Sequence, residues 1–274
     1  MSKRRYSMDE EKIARLLARG RGSGDGAGYL PFLEVRDVPS LGRRSRILGR
    51  TTGRLHHLMS DLETSAFLQA DWQDDVTDIK EQHPLDRDVT RRLARGMRVR
   101  HPRDTRTATD IVMTTDLLVV RHSGRHAYSV KYSTDLGGRR GRRVRQKLEI
   151  ERRYWKLEGV PFTVVTERQL PKIRRDNLAW LHPYHNVANH PWPRPGYWFD
   201  RSADLLRIMR NLEPQVSIEA LIVALERPGL FEFGEVLSVL RWLMCMKIVE
   251  FDLNRRFDVR WPVSDLVFPR ELIN

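Results

Sequence analysis

The chain has 274 residues, 40% of them hydrophobic, so it can build cores and is not a disordered chain. Its longest apolar runs fall well short of the roughly 20 residues of a membrane span, and the basic N-terminus MSKRRYSMDEEKIARLL lacks the uninterrupted apolar stretch of a signal peptide. A single cysteine, Cys245, excludes intrachain disulfides and Cys-rich zinc sites and fits a reducing cytoplasm, while 49 Lys and Arg against 36 Asp and Glu, a net +13 and a pI near 10.3, point to nucleic acid or an acidic protein as partner.

Ser7 and Glu10 form an S-x-x-E capping box ahead of a helix with Ile13, Leu16 and Leu17 on one face. The run GRGSGDGAG at Gly20–Gly28 lacks the Gly-Lys-Ser/Thr ending of a phosphate loop and predicts a flexible connector. Tyr29–Val38 reads as extended, and Arg43–Arg50 is a basic stretch suited to a DNA backbone. His56 and His57 are adjacent on a predicted strand, so their side chains face opposite ways and at most one can enter a site. Structure or a phosphate contact is the expectation there, with His57 the candidate for the contact. Ser60-Asp61-Leu62-Glu63 is a second capping box and opens a helix through Leu68. A strand follows over Val76–Gln82, then a polar loop with a helical piece over Asp86–Asp104.

The stretch TTDLLVVRHSGRHAYSVKY, Thr114–Tyr132, predicts a hairpin. With Ser123-Gly124 as its two-residue turn, Asp116 lies opposite Lys131, and Ser129 shares a face with Lys131. The basic run Gly137–Lys147 leads into a helix, LEIERRYWKLE, and Val160–Thr166 is a β-branched strand. Composition then shifts. HPYHNVANHPWPRPGYWF, residues 182–199, is a proline- and aromatic-rich linker. His182, His185 and His190 within it have no fourth ligand and predict no zinc site. Helical patterns follow at Ala203–Leu212, Ser217–Leu225 and Gly234–Met246. A small hairpin over Lys247–Val259 would complete the order of a winged helix. The fold class expected is α/β: a catalytic domain over 1–168 and a mainly helical, winged-helix-like domain over 169–274.

Charged groups at strand ends need a partner or a task. One reading of Asp116 and Lys131 is a cross-strand salt bridge, and Glu63 as the third residue of its helix has a capping role of its own. The other reading joins them. A helix carboxylate, a strand-opening Asp and a nearby Lys suit a Mg²⁺-dependent nuclease, since Mg²⁺ takes a few oxygen ligands and keeps several waters. Glu63, Asp116 and the Val130 carbonyl would be the protein's ligands, and Lys131 would position water or oppose transition-state charge. Arg139, Arg140, Arg142, Arg143 and Arg145 would hold phosphates without reading sequence.

The order Glu, then Asp, then x-x-Lys on a hairpin resembles the PD-(D/E)xK restriction-endonuclease-like superfamily. GRLHHLMSDLE (53–63), DIKEQHPL (78–85), TTDLLV (114–119) and KLEIERRYW (147–155) resemble the TnsA family, the endonuclease subunits of heteromeric cut-and-paste transposases. The resemblance implies that Glu63 and Asp116 bind metal, that Lys131 is catalytic, and that Mg²⁺, replaceable by Mn²⁺, is the cofactor. It implies cutting of the non-transferred strands at the 5′ ends of a bacterial mobile element, beside a TnsB-like transposase subunit and a TnsC-like ATPase regulator. Ser129 departs from the pattern: the superfamily has Glu or Asp there and TnsA has Gln. Glu149 on the following helix is a secondary candidate for the missing ligand, its alternative being an exposed helix charge. A stand-alone restriction- or resolvase-type nuclease, and a DNA-binding subunit with a decayed site, remain as rival functions.

Overall fold

The computed structural model describes residues 7–37, 43–186 and 193–268, the Arg140 side chain excepted. The chain divides into two compact units, Met1–Leu170 and Pro171–Asn274.

In the first unit, α1 (Glu10–Ala18) is N-capped by Asp9, whose carboxylate accepts the Lys12 N–H, so the helix starts two residues later than the Ser7 box predicts. Ile13 and Leu16 pack with Met8, Phe32 and Val112. The Gly20–Gly28 run is not a flexible connector. Its Gly22 N–H donates to the Leu30 carbonyl at 2.6 Å, its Gly26 N–H to Asp78 Oδ2 at 2.9 Å, and Asp25 pairs with Lys80. Gly24 sits at φ +92, and a Cβ there would stand 2.4 Å from the Gly28 carbonyl oxygen. The glycine is needed for close approach, not for mobility. Residues 29–37 turn rather than extend, with the Asp37 N–H closing on the Glu34 carbonyl at 2.8 Å; Val38 lies outside the described residues.

Strands β1 (Ser45–Leu48) and β2 (Leu55–Leu58) form a two-stranded antiparallel sheet that leads into α2 (Asp61–Asp71). The main sheet has four strands in the order β3 (Val76–Pro84), β4 (Thr114–Arg121), β5 (Gly124–Val130) and β6 (Phe162–Val165). Its first three strands are antiparallel, and β5 and β6 are parallel. A parallel neighbour requires a crossover. The 20-residue helix α4 (Gly138–Leu157) provides it and packs against α3 (Arg87–Gly96). The predicted basic run is thus the first half of α4. Leu117, Leu118 and Val119 of β4 are buried on successive, opposite-facing positions because both faces are covered. On one side Leu118 and Ala127 meet Ile150 and Trp155 of α4; α2 packs on β4 and β5.

The hairpin turn lies one residue earlier than expected, which shifts the pairing by two. Arg121 pairs with Gly124 and Leu117 with Tyr128, so the turn is His122-Ser123. Neither turn residue has positive φ, while Gly124 has φ +127. That is the behaviour of a type I turn, which places glycine at its fourth position rather than inside. Extending the ladder by one pair places Asp116 across from Ser129, not Lys131.

The second unit holds α5 (Lys172–Leu181), which the sequence pattern did not predict, then α6 (Tyr197–Arg210), α7 (Ile218–Glu226) and α8 (Glu235–Cys245). Val236, Val239, Leu240 and Leu243 of α8 are fully buried and form its core face. The expected hairpin over Lys247–Val259 is absent among the described residues. Only isolated bridges, Ser217 to Pro262 and Glu250 to Val267, occur there. The segment is instead a set of turns held by Asn177, whose amide donates to the carbonyls of Leu253 and Arg255 at 2.9 Å each. Among the described residues the helices are present, and Lys247–Val259 forms no hairpin wing. Residues 187–192 of the linker, His190 included, lie outside the described residues. No described helix is long and apolar enough to cross a membrane.

Candidate active site

Asp116 lies on the central strand β4, near its start, and is 8% exposed. On β3, Glu81 pairs with Leu117 and His83 with Thr115, so Gln82 flanks Asp116 from that side. From β5, Ser129 flanks it on the other. Among the described residues, the hydrogen bonds to Asp116 land on Oδ2: from the Val130 N–H at 2.6 Å, Lys131 Nζ at 2.7 Å and Ser129 Oγ at 3.3 Å. Oδ1 is left for another ligand.

Lys131 follows the last residue of β5 and reaches Asp116 diagonally, the contact that two residues of offset allow. Its ammonium also donates to the Val130 carbonyl at 2.9 Å, and 30% of its side chain is exposed. Burial works against this ammonium, but the Asp116 carboxylate outweighs it and lifts the lysine above its ordinary pKa. Lys131 therefore carries a full charge, held on Asp116 Oδ2 and on the Val130 carbonyl, and the latter is also assigned to a metal.

Glu63 is the third residue of α2. Its N–H donates to the Ser60 hydroxyl at 3.1 Å, as a capping box requires. Its carboxylate accepts from the Met59 N–H at 2.9 Å and from Ser60 Oγ at 3.2 Å, so its capping reach extends one residue beyond the Ser60 N–H. Gln82 Nε2 approaches it at 3.4 Å, while Gln82 Oε1 accepts from Thr114 Oγ1 at 3.0 Å. Gln82 thereby links α2 to the start of β4. It does so with φ +47, a left-handed backbone within a strand. Burial, with Asp116 adding to it, raises Glu63 to about 7.

Glu151 was missed by sequence reasoning. It projects from α4, is 4% exposed, and accepts from Thr115 Oγ1 at 2.8 Å. Trp155 Nε1 donates to the same hydroxyl at 2.7 Å, and Ser129 also hydrogen-bonds the carboxyl. Burial and the nearby Asp116 carboxylate raise Glu151 to about 8. The helix phase was the available signal: Glu151 lies three residues after Leu148 and four before Trp155, on the buried face. Glu149 does not. It pairs with Arg152 and Arg153 at 2.7 Å on the outer face, which is the exposed helix charge of the alternative reading.

Burial first, and the nearby Asp116 carboxylate second, hold both carboxyls toward their neutral forms, and a cation beside them would favour the charged forms. No three His, Cys, Asp or Glu side chains among the described residues gather closely enough to cage an ion. The donors present are Glu63, Oδ1 of Asp116 and the Val130 carbonyl. That sparse, all-oxygen set fits an ion that retains much of its water shell, as Mg²⁺ does.

The remaining predicted residues fall elsewhere. His57 is half-buried, accepts from the Val35 N–H at 3.4 Å and has its pKa lowered by burial, so it faces that loop. His56 is fully buried between Thr52 Oγ1 (2.7 Å) and Glu81 Oε2 (2.9 Å), and Arg54 forks onto the same Glu81 at 2.9 and 2.5 Å. Arg139, Arg142 and Arg145 are exposed on α4, Arg145 donating to the Leu136 carbonyl; Arg143 is half-buried and donates to Gln146 at 3.1 Å.

The family model described as TnsA-like endonuclease N terminal matches residues 73–167, and that described as TnsA endonuclease C terminal matches residues 169–253. The transposon Tn7 transposition protein TnsA of Escherichia coli is 40% identical over 269 residues, covering 94% of this chain and 91% of that protein.

Proposed function

The chain belongs to the TnsA endonuclease family, and from that premise we propose that it hydrolyses DNA phosphodiesters with Mg²⁺, Mn²⁺ substituting, at Glu63, Asp116 and the Val130 carbonyl. The observation that carries this is the convergence on Asp116 of Lys131, the Val130 backbone, and the two buried carboxyls Glu63 and Glu151. Glu151 would stand in for the carboxylate that the motif lacks at Ser129, as a further oxygen beside that set once it has given up its proton. When bound, the metal neutralises charge on the scissile phosphate and lowers the pKa of its water. Lys131 keeps its proton and opposes the charge that develops on the phosphoryl oxygens. Gln82 and Ser60 fix the Glu63 carboxylate, and Ser129 with the Val130 N–H fixes Asp116.

The substrate is the non-transferred strand at each 5′ end of a bacterial mobile element, cut in the cytoplasm. A TnsB-like subunit cuts and joins the 3′ ends, and a TnsC-like ATPase docks on the helical unit and gates assembly. The test is transposition reconstituted with those partner subunits. Asp116→Ala and Lys131→Ala are each expected to abolish 5′ cutting and leave 3′ joining, giving joined donor–target products. Simple insertions from both variants would refute the site. A Mn²⁺-soaked crystal read by anomalous scattering places the ion independently of activity.

A further inference from the structure

A cleft of about 290 Å³ opens beside Ser129, Lys131 and Glu151, walled largely by apolar side chains, and one more lysine, Lys147, lines it. Helix phase explains its position. At about 100° per residue, Lys147 falls on the face of α4 that in the next two turns buries Ile150, Glu151 and Tyr154. It is exposed only because the cleft opens there. Arg143, one turn earlier, shares this face. Arg142 and Arg145 stand on the outer face with Glu149 and Arg152.

Three cations near this site have a carboxylate: Lys131 has Asp116, and Arg152 and Arg153 share Glu149. Among the described residues none pairs with Lys147. Burial lowers its pKa, and the charges acting on it, those of Arg143 and Lys131, are themselves cations. Asp135 and Glu151 also line the cleft, but neither pairs with Lys147, and a lysine facing two other cations without a bonded anion is arranged for an anion from outside. Successive inward positions on α4 are separated by about 6 Å, a step commensurate with neighbouring phosphates of one strand, which advance about 3.4 Å along the duplex axis while winding around it.

We propose that Lys147 is a phosphate-binding residue of this cleft, gripping the DNA backbone beside the phosphate being cut, with Arg143 holding the next one outward. The assignment rests on the nuclease reading for the identity of its ligand. It moves the phosphate contact from the outer arginines of the basic run to the inner face of the same helix.

The test is the salt dependence of binding by the full chain to a labelled duplex of arbitrary sequence in EDTA, where nothing is cut. One lost phosphate contact reduces the slope of log affinity against log salt by about 0.9. Lys147→Ala should therefore lose about threefold less affinity than wild type over a fourfold rise in salt. Lys147→Arg should restore the slope, and Lys156→Ala, removing an exposed lysine at the far end of α4, should leave it unchanged. Neutral methylphosphonate links then locate the contact: variant and wild type should bind alike only when the neutral link lies beside the cut. An unchanged slope in Lys147→Ala, an equal loss in Lys156→Ala, or no duplex binding by wild type overturns the proposal. Wild type that cuts DNA while Lys147→Ala keeps its slope sinks this assignment alone. Loss of slope at Lys147 in a protein that never cuts sinks the nuclease reading alone.

Discussion

Glu151→Gln isolates the buried carboxyl that the sequence motif does not announce. The amide keeps an oxygen for Thr115 Oγ1 and nearly the same volume, so packing against Trp155 is retained. What it removes is titration. Burial and Asp116 raise Glu151 from an ordinary 4.5 to about 8, so between those values the native state holds a proton that the unfolded chain does not. The wild type binds more protons folded than unfolded, and its stability must fall as pH rises through this window. The full slope is about 1.4 kcal/mol per pH unit, so moving from about pH 5.5 to about 7.5 should cost the wild type on the order of 2–3 kcal/mol that the Gln variant does not lose. Glu63, raised to about 7, tilts both proteins alike and largely cancels in the difference. Urea denaturation in EDTA at several pH values measures this, provided the m values match. Added Mg²⁺ should flatten the wild-type curve, because bound positive charge removes the reason for the proton. Parallel curves for the two proteins in EDTA would refute the crowded-charge account of the site.

Two further substitutions separate frame from chemistry. Arg54→Met leaves Glu81 fully buried without its guanidinium fork and should cost about 3–5 kcal/mol by denaturant midpoint; a loss below about 1 kcal/mol would show that His56 and the His57 N–H suffice. Glu149→Ala removes only helix-surface pairs, worth under about 1 kcal/mol, and should leave cutting rate and metal affinity unchanged. A large loss of either would return Glu149 to the site.

Much of the site was legible in the sequence because its signals are local. Ser60 and Glu63 are three residues apart on one helix turn, and Asp116 and Lys131 lie on one hairpin. The register was misplaced because Ser-Gly suggests glycine inside the turn, whereas here glycine follows it. The sequence reading names Glu149 and passes over Glu151, because in a highly charged helix only the phase of Leu148, Tyr154 and Trp155 tells a buried carboxyl from an exposed one. Gln82 left no trace at all, since a left-handed backbone in a β-branched and charged strand has no sequence signature unless glycine occupies it. The wing was expected from the order of elements, but the Leu253 and Arg255 carbonyls are met by Asn177, a side chain 76 to 78 positions away in sequence, and no local pattern reports that.

The conformation of Gln82 carries a last consequence. A non-glycine residue at positive φ inside a strand costs roughly 1–3 kcal/mol, so glycine would be the more comfortable occupant of this position. Glycine would also remove the side chain that touches both the Glu63 carboxylate and the Thr114 hydroxyl. Backbone comfort and alignment of the Glu63 carboxylate thus make opposite demands on this one position, and glutamine meets the second at the expense of the first.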